Sequence, residues 1–208
     1  MANILVLNSS VLGDGSVSKA LVGEAVRRLL ETSPGAIVVE RDLGTAPVPH
    51  LTTANVAGVR GVPATEPELA ARALSDKLIA ELRAADTIVI GAPMYNFSIP
   101  TGLKAWFDYL LRAGDTFKYS EAGPQGLLTG KRVIVIEARG GLYSEGPAQA
   151  MDFQEPYLRA LLGFVGLSDV TFIHAEKLGF GPDARDAALT AAKAKIAATA
   201  RQPLADAA

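Results

Sequence analysis

Hydrophobic residues occur along the chain in five short, nearly unbroken runs that are rich in valine and isoleucine. Polar residues do not alternate with apolar ones inside these runs, so both faces of each predicted strand are expected to be covered, as in a parallel sheet. The runs predict five buried strands, at Ile4–Leu7, Ala36–Val39, Thr87–Gly91, Arg132–Ile136 and Val170–Ile173.

Between and after these runs, apolar residues recur at the spacing of amphipathic helices. Thr65 and Glu68, with Pro67 in the first turn, form a capping-box pattern at the start of one of them. The predicted helices are Val17–Leu30, Glu66–Arg83, Gly102–Leu111, Pro156–Phe164 and Asp183–Ala200. Strands and helices alternate, which indicates a parallel sheet with helices on both faces.

The order of elements predicts one domain over residues 1–208 with a flavodoxin-like α/β fold. This fold is a three-layer sandwich around a five-stranded parallel sheet of order 2-1-3-4-5. Three connections are unusually long, at Leu43–Thr65, Ala113–Gly130 and Arg139–Glu155. Long loops in a compact domain are usually functional or disordered, and ligands bind at the carboxyl ends of such strands.

Composition narrows the range of functions. The net charge of −2 at pH 7 gives no basic surface for nucleic acid. The absence of cysteine excludes disulfides, thiolate nucleophiles and cysteine-ligated metals. His50 and His174 lie far apart in sequence, so we expect no metal site. The N-terminus has no secretory pattern, and no apolar run is long enough to span a membrane, so a cytoplasmic protein that binds no membrane is expected.

The segment after the first strand, Asn8–Ser18, contains four serines and two glycines. It leads into a helix whose first N–H groups are unpaired and carry partial positive charge. Ser10, Ser16 and Ser18 add hydroxyl groups, and no lysine or arginine lies between Asn8 and Ser18. These features favour a phosphate bound by neutral donors.

Other interpretations of this segment remain open. The P-loop motif is absent, and a dinucleotide fingerprint begins at Gly13 and Gly15 but ends in Ser18 instead of glycine. Under that interpretation, Glu40 would bind a ribose. In the simplest alternative, Ser16 is only a helix cap and the preceding serines form a turn.

Two further segments follow the third and fourth strands. Met94–Phe97 is aromatic and apolar, with Asn96 as an amide donor and acceptor, and the glycines of Ala138–Gly141 allow the backbone to approach a ligand closely. Each segment alone could be an ordinary turn. Together with the serine segment they would surround a ligand with a phosphate and a planar, hydrogen-bonding head. Flavin mononucleotide (FMN) fits this description.

Five segments also resemble, in order, the FMN-dependent NADH azoreductases, which are also called NADH–quinone oxidoreductases. They are NSSVLGDGSVS, APMYNFSIP, LKAWFDYLLRAGDTFKY, GPQGLLTGK and ARGG, and the resemblance extends from Ile4 to about Gly181. It implies a flavodoxin-like homodimer with two FMN sites at the subunit interface. It also implies an enzyme that reduces quinones and cleaves azo compounds, by ping-pong hydride transfer from NADH or NADPH through N5 of FMN.

The resemblance assigns cofactor contacts by position. The phosphate would be held by Ser10, Ser16, Val17 and Ser18, and the isoalloxazine ring by Met94, Tyr95, Asn96 and Phe97. The pyrimidine end would meet Ala138, Arg139, Gly140 and Gly141. Ala138 replaces a serine that is common in the family; the backbone donors remain, so FMN is still expected to bind. No side chain is expected to be an obligatory catalytic base.

The quinone or azo compound requires an apolar slot. Candidate residues come from separate segments, some of them in reach of a second subunit: Phe97, Phe117, Tyr119 and Phe164. Phe117 and Phe164 could equally be core residues. Arg60, Arg139 and Arg185 are candidates for contacting the 2′-phosphate of NADPH.

Two other classes of protein fit parts of the pattern. A flavodoxin-type electron carrier would bind FMN and have no small-molecule substrate, but such carriers are usually strongly acidic. A phosphate-binding regulatory module would bind no flavin. The near-neutral charge and the three long loops favour the enzyme.

Overall fold

A computed structural model describes residues 2–202; residue 1 and residues 203–208, which the predicted domain includes, lie outside the described part. The central sheet is parallel and has the order β2-β1-β3-β6-β7. Its strands are β1 (Asn3–Asn8), β2 (Ile37–Asp42), β3 (Thr87–Pro93), β6 (Arg132–Ala138) and β7 (Asp169–Ala175), and a separate antiparallel hairpin consists of β4 (Phe117–Ser120) and β5 (Gly123–Gly126). The predicted flavodoxin-like fold and strand order are therefore confirmed.

Six α-helices flank the sheet in the described residues. They are α1 (Val17–Thr32), α2 (Val56–Arg60), α3 (Glu66–Ala84), α4 (Thr101–Leu110), α5 (Glu155–Phe164) and α6 (Pro182–Ala200). Alternate residues of each central strand face opposite layers. Val6 packs with α1 and α6 through Leu21 and Ile196, whereas Leu5 packs with α3 to α5 through residues such as Leu78.

The predicted start of α3 is confirmed. The Glu68 carboxylate accepts the N–H of Thr65 at 2.9 Å and that of Ala64 at 2.8 Å. Pro67 lies in the first turn, where a backbone N–H would have no acceptor within the helix, so its absence costs no hydrogen bond.

The prediction that all five strands are buried on both faces is wrong for β2. Ile37, Val38 and Val39 are 52%, 38% and 39% exposed, because β2 is an edge strand that no helix covers. The hairpin β4–β5 and the short helix α2 lie in two of the long connections and carry no apolar run that would have predicted them. None of the helices in residues 2–202 is long and apolar enough to cross a membrane.

The strand order determines where the three candidate segments lie. β1, β3 and β6 are neighbours in the sheet, and all run in the same direction. The segments that follow them therefore emerge side by side at the carboxyl edge of the sheet.

Candidate functional site

The serine segment ends in the N-terminal turn of α1. Ser16 is the N-cap, and its hydroxyl accepts the N–H of Lys19 at 3.2 Å and lies 3.1 Å from the Ser18 hydroxyl. The N–H groups of Val17 and Ser18 donate to no acceptor within residues 2–202. Ser16 is thus a helix cap, and the turn that it caps still has free donors for an anion.

Tyr95 joins the second segment to the first. Its hydroxyl lies 3.2 Å from the Ser10 hydroxyl and accepts the N–H of Val11 at 3.2 Å. Ser9 donates to the carbonyl of Gly91 at 2.6 Å, so Ser9 has a structural role between β1 and β3. The first two segments therefore form one surface.

Met94–Phe97 forms a tight turn. Tyr95 and Ser98 exchange backbone hydrogen bonds of 3.0 and 3.1 Å, and the residues between them, Asn96 and Phe97, have φ of 48° and 72°. Positive φ at both central positions is typical of a type I′ turn, which normally contains glycine. A bulky residue in this conformation is strained, and such strain is concentrated at functional sites.

Ala138–Gly141 presents backbone donors on one side. The carbonyls of Arg139 and Gly140 accept the N–H groups of Leu178 and Gly179 at 3.2 and 2.9 Å. In a trans peptide the N–H points away from the carbonyl, so the N–H groups of Gly140 and Gly141 face away from residues 178–179. Neither N–H has an acceptor in the described chain. A Cβ built at Gly140 would meet nothing within 4 Å, so space is open beside this loop.

The third segment joins the second. The N–H of Met94 donates to the carbonyl of Ala138 at 2.9 Å, and the rings of Phe97 and Tyr143 pack edge to face with centroids 6.1 Å apart. The structure thus brings all three predicted cofactor segments into one continuous site at the carboxyl edge.

Arg139 does not have the surroundings of a ligand-binding side chain. It is fully buried (0% exposed), and its backbone N–H already donates to Ala175 at 2.9 Å. Because the side chain is enclosed by protein and contacts acceptors of the same chain, its assignment to the 2′-phosphate of NADPH loses support. A contact of the Arg139 backbone with FMN stays a prediction.

Arg139 instead belongs to a buried ion-pair network that the sequence analysis missed. One partner, Glu137, lies two residues before it, and the other three come from later segments that no local pattern connects with it: Asp152, Gln154 and Glu176. His174 extends the network, with Nε2 at 3.1 Å from Glu137 and 2.7 Å from Glu155. The only local feature that indicates this network is the presence of two charged residues, Glu137 and Arg139, at the end of the apolar run of β6.

Burial and ion pairing shift the protonation equilibria in this network. Burial raises the pKa of the Glu137 carboxyl, one oxygen of which has no hydrogen-bond partner in the described residues. The hydrogen bond with Glu137 raises the pKa of His174 above its ordinary value. Burial opposes ionisation of Glu155, but hydrogen bonds from Arg159 and His174 outweigh it and lower the pKa of that carboxyl.

The predicted substrate residues lie in two places. Phe97 is on the turn described above, but Phe117, Tyr119 and Phe164 form a separate cluster, with Phe117 centroids 5.5 Å from Tyr119 and 4.6 Å from Phe164. This cluster joins the hairpin to the C-terminal end of α5, at the amino edge of the sheet. One chain alone does not bring it to Phe97.

The structure also shows the surroundings of three other residues that the sequence analysis proposed as ligand contacts. Glu40 accepts the Asn8 amide at 2.8 Å, so it is already engaged and the ribose interpretation loses support. Arg60 donates to the carbonyls of Leu111 and Asp108. Arg185 lines a groove beside the start of α1, next to Gly15 and Ser16.

A parallel sheet of this order, with donor-rich loops at the carboxyl edge of three neighbouring strands, is the arrangement of the flavodoxin-like class. Comparison with known families agrees, because the flavodoxin-like fold family matches residues 2–200. The chain is 69% identical over 201 residues to an FMN-dependent NADH:quinone oxidoreductase of Hyphomonas neptunium, and the match covers 97% of each chain.

Solved structures give the same result. An azoreductase from Bacillus anthracis str. Sterne is 33% identical, with a TM-score of 0.88 over 96% of this chain and 99% of its own. An FMN-dependent NADH-azoreductase from B. anthracis str. Ames Ancestor, solved in complex with FMN, is 25% identical, with a TM-score of 0.85 over 97% of this chain and all of its own. The chain therefore belongs to the family of FMN-dependent NADH:quinone oxidoreductases, as the resemblance implied. It is an oxidoreductase.

Proposed function

We propose that this protein binds FMN at the carboxyl edge of its sheet and uses NADH to reduce quinones to hydroquinones and to cleave aromatic azo compounds to amines. The observation that carries the proposal is the joining of three loops into one surface with N–H groups that have no acceptor among residues 2–202. These donors are at Val17 and Ser18, at Asn96 and Phe97, and at Gly140 and Gly141. A phosphate and the polar edge of a planar ring system require donors of this kind.

The residues present fit FMN. The start of α1 and the Ser10, Ser16 and Ser18 hydroxyls would hold the phosphate without a charged side chain. The turn at Met94–Phe97 would cover the ring system, with Asn96 at its polar edge. The open space beside Gly140 would let the ring approach the backbone closely.

Bound FMN would supply the hydride transfer from nicotinamide to acceptor at N5, which amino-acid side chains cannot perform. The N–H groups of Gly140 and Gly141 would stabilise the negative charge that reduction places at the pyrimidine end, as an oxyanion hole does. None of the side chains facing the loops is required as a catalytic base.

The proposal includes a homodimer. Phe97 and the nearby Phe153 are exposed at the carboxyl edge, and Tyr119 is 74% exposed at the amino edge. In a dimer that apposes these regions, the hairpin of one subunit would complete the substrate slot of the other. This arrangement would unite the four predicted substrate residues, which one chain keeps apart.

NADPH is a second candidate electron donor. Arg185 supports it, because its groove adjoins the proposed phosphate site. A cytoplasmic location is also part of the proposal, because the reductant NADH is generated there.

The variant Gly140→Ala tests FMN binding. The added methyl group meets no protein atom within 4 Å, so the fold is expected to keep its stability, but the methyl group would occupy space assigned to the cofactor. We expect the Kd for FMN to rise about tenfold or more while the melting temperature of the apoprotein is unchanged.

The matched control for this variant is Gly23→Ala, on α1, where an added methyl group also meets nothing. It is expected to leave the Kd unchanged. Equal FMN affinity in both variants would contradict the assigned site. Turnover of a benzoquinone and of an azobenzene dye with NADH, by the FMN-loaded wild-type protein, tests the reaction itself.

A further inference from the structure

The buried Arg139 side chain lies directly before the glycine pair that presents free N–H groups. Its guanidinium group contacts four acceptors from three separate segments. It donates hydrogen bonds to Glu137 Oε2 at 2.6 Å, Gln154 Oε1 at 3.0 Å and Glu176 Oε1 at 3.1 Å. It also forms an ion pair with Asp152 Oδ2 at 3.0 Å. A planar guanidinium with this many fixed acceptors has one permitted orientation.

Glu176 connects Arg139 with the residues on the other side of the glycine pair. Its Oε1 also accepts the N–H groups of Tyr143 at 2.8 Å and Ser144 at 3.0 Å, and the Ser144 hydroxyl donates to the same carboxylate. Arg139 before the glycines and Tyr143-Ser144 after them are therefore bound to one carboxylate group.

Gln154 connects Arg139 with the strand that leads into the aromatic turn. Its side chain is fully buried, and Nε2 donates to the carbonyl of Ala92 at 2.8 Å while Oε1 accepts from Arg139. Ala92 lies two residues before Met94. The guanidinium thus connects the end of β3 with the end of β6 and with the residue that follows β7.

Glycines have no side chains with which to hold their own conformation, and Gly140-Gly141 loses more backbone freedom on ordering than other residues would. The N–H groups of residues 177–179 hold the carbonyls of this loop, and holding the residues that flank the glycines further lowers the entropy cost of binding a ligand. The carboxylate of Glu176 does this on both sides, and Arg139 fixes the carboxylate.

We propose that Arg139 is a positioning residue, which preorganises the N–H groups of Gly140 and Gly141 for the flavin without touching it. This inference rests on the proposed function for the identity of the ligand. The preorganisation itself is a property of the apoprotein, so the two can be tested separately.

The test compares the apoproteins of the wild type and of Arg139→Lys by hydrogen exchange and by FMN titration. Lysine keeps the charge but cannot bind all four acceptors. We expect exchange of the amides in residues 140–144 to become about tenfold faster, and the Kd for FMN to rise about tenfold.

Arg112→Lys is the matched control. Arg112 is also buried and ion-paired, to Asp76 and Asp115, but it lies at the amino edge of the sheet. The Arg112→Lys variant is expected to have a lower melting temperature, with exchange at residues 140–144 and the Kd for FMN unchanged. If the control alters both quantities as much as Arg139→Lys does, Arg139 has only a structural role and the proposal is wrong.

Where Arg139→Lys does not fold, Ser144→Ala takes its place, because it removes a single donor to Glu176. It should speed exchange at residues 143–144 and weaken FMN binding severalfold. Exchange and Kd equal to the wild type would overturn the proposal. If wild-type apoprotein binds no FMN, the proposed function fails, and the exchange measurements still decide whether Arg139 orders the loop.

Discussion

At the scale of single residues, Tyr95 and Phe97 show how the site differs from an ordinary turn. Phe97 adopts a φ of 72°, which a phenylalanine rarely does, and keeps its ring partly exposed. Tyr95, in the same turn, directs its hydroxyl to the serine segment instead. Neighbouring residues of one turn thus serve different parts of the site, and the turn orients both at the cost of some strain.

Tyr95→Phe tests the junction between the serine segment and the aromatic turn. The variant loses the contacts with the Ser10 hydroxyl and the Val11 N–H but keeps the ring. Hydrogen bonds of this kind contribute about 1 kcal/mol, so the Kd for FMN should rise about fivefold.

Fluorescence titration of the apoprotein measures this Kd. Tyr157→Phe, on α5, is the control and should leave it unchanged. A Kd for Tyr95→Phe within error of the wild type would show that the junction does not shape the cofactor site.

The residue scale also shows why the sequence does not reveal the surroundings of the Arg139 side chain. It stands beside two glycines at a predicted ligand edge, so a direct contact is the natural interpretation. The acceptors that surround the guanidinium come from residues 137, 152, 154 and 176, and nothing in the local sequence shows that these positions converge.

At the scale of elements, the network attaches α5 to the sheet. His174 on β7 contacts Glu137 on β6 and Glu155 in the first turn of α5. Arg139 also faces His174 and opposes its protonation, but the hydrogen bond with Glu137 dominates. The attachment of α5 to the sheet should therefore depend on the charge of His174.

The pH dependence of stability tests this attachment. The folded protein binds the His174 proton more tightly than the unfolded chain does, because the pKa of His174 is raised above its ordinary value of 6.5. The stabilisation is fully present below the unfolded pKa and is lost as the pH rises through the folded pKa.

We therefore expect the wild type to exceed His174→Gln in free energy of unfolding by a larger margin at about pH 6 than at about pH 9. Urea denaturation of both apoproteins at the two pH values measures the margin. A margin that grows with pH would have the wrong sign for a charged, ion-paired His174.

At the scale of the whole molecule, the continuous apolar runs indicate a parallel sheet, and the alternation of five strands with helices predicts the flavodoxin-like strand order. The predicted order places both β2 and β7 at the edges of the sheet. The apolar runs do not show that Ile37 of β2 is exposed whereas Phe172 and Ile173 of β7 are buried. The hairpin has short strands, FKYS and GPQG, without an apolar pattern. Phe97 lies at the carboxyl edge of the sheet and the aromatic cluster lies at the amino edge. Local sequence does not show this separation, because it results from the three-dimensional fold.

The proposed dimer makes a prediction at this scale. Sedimentation should give a species of twice the mass of one chain, and Tyr119→Ala should raise the KM for a quinone several-fold without changing the Kd for FMN. Tyr119 is 74% exposed in the single chain, so its truncation should cost little stability. A monomer in solution, or a KM that is unaffected, would contradict the role of the hairpin in the substrate slot.

A visible spectrum of the protein loaded with FMN, desalted, and mixed with NADH in the absence of oxygen tests most directly whether the protein is an NADH-dependent flavoenzyme. We expect the flavin absorption band to survive desalting and then to bleach, because the protein holds FMN and accepts NADH. A band that survives without bleaching would favour an electron carrier. Loss of the band on desalting would show that the three loops bind something other than FMN.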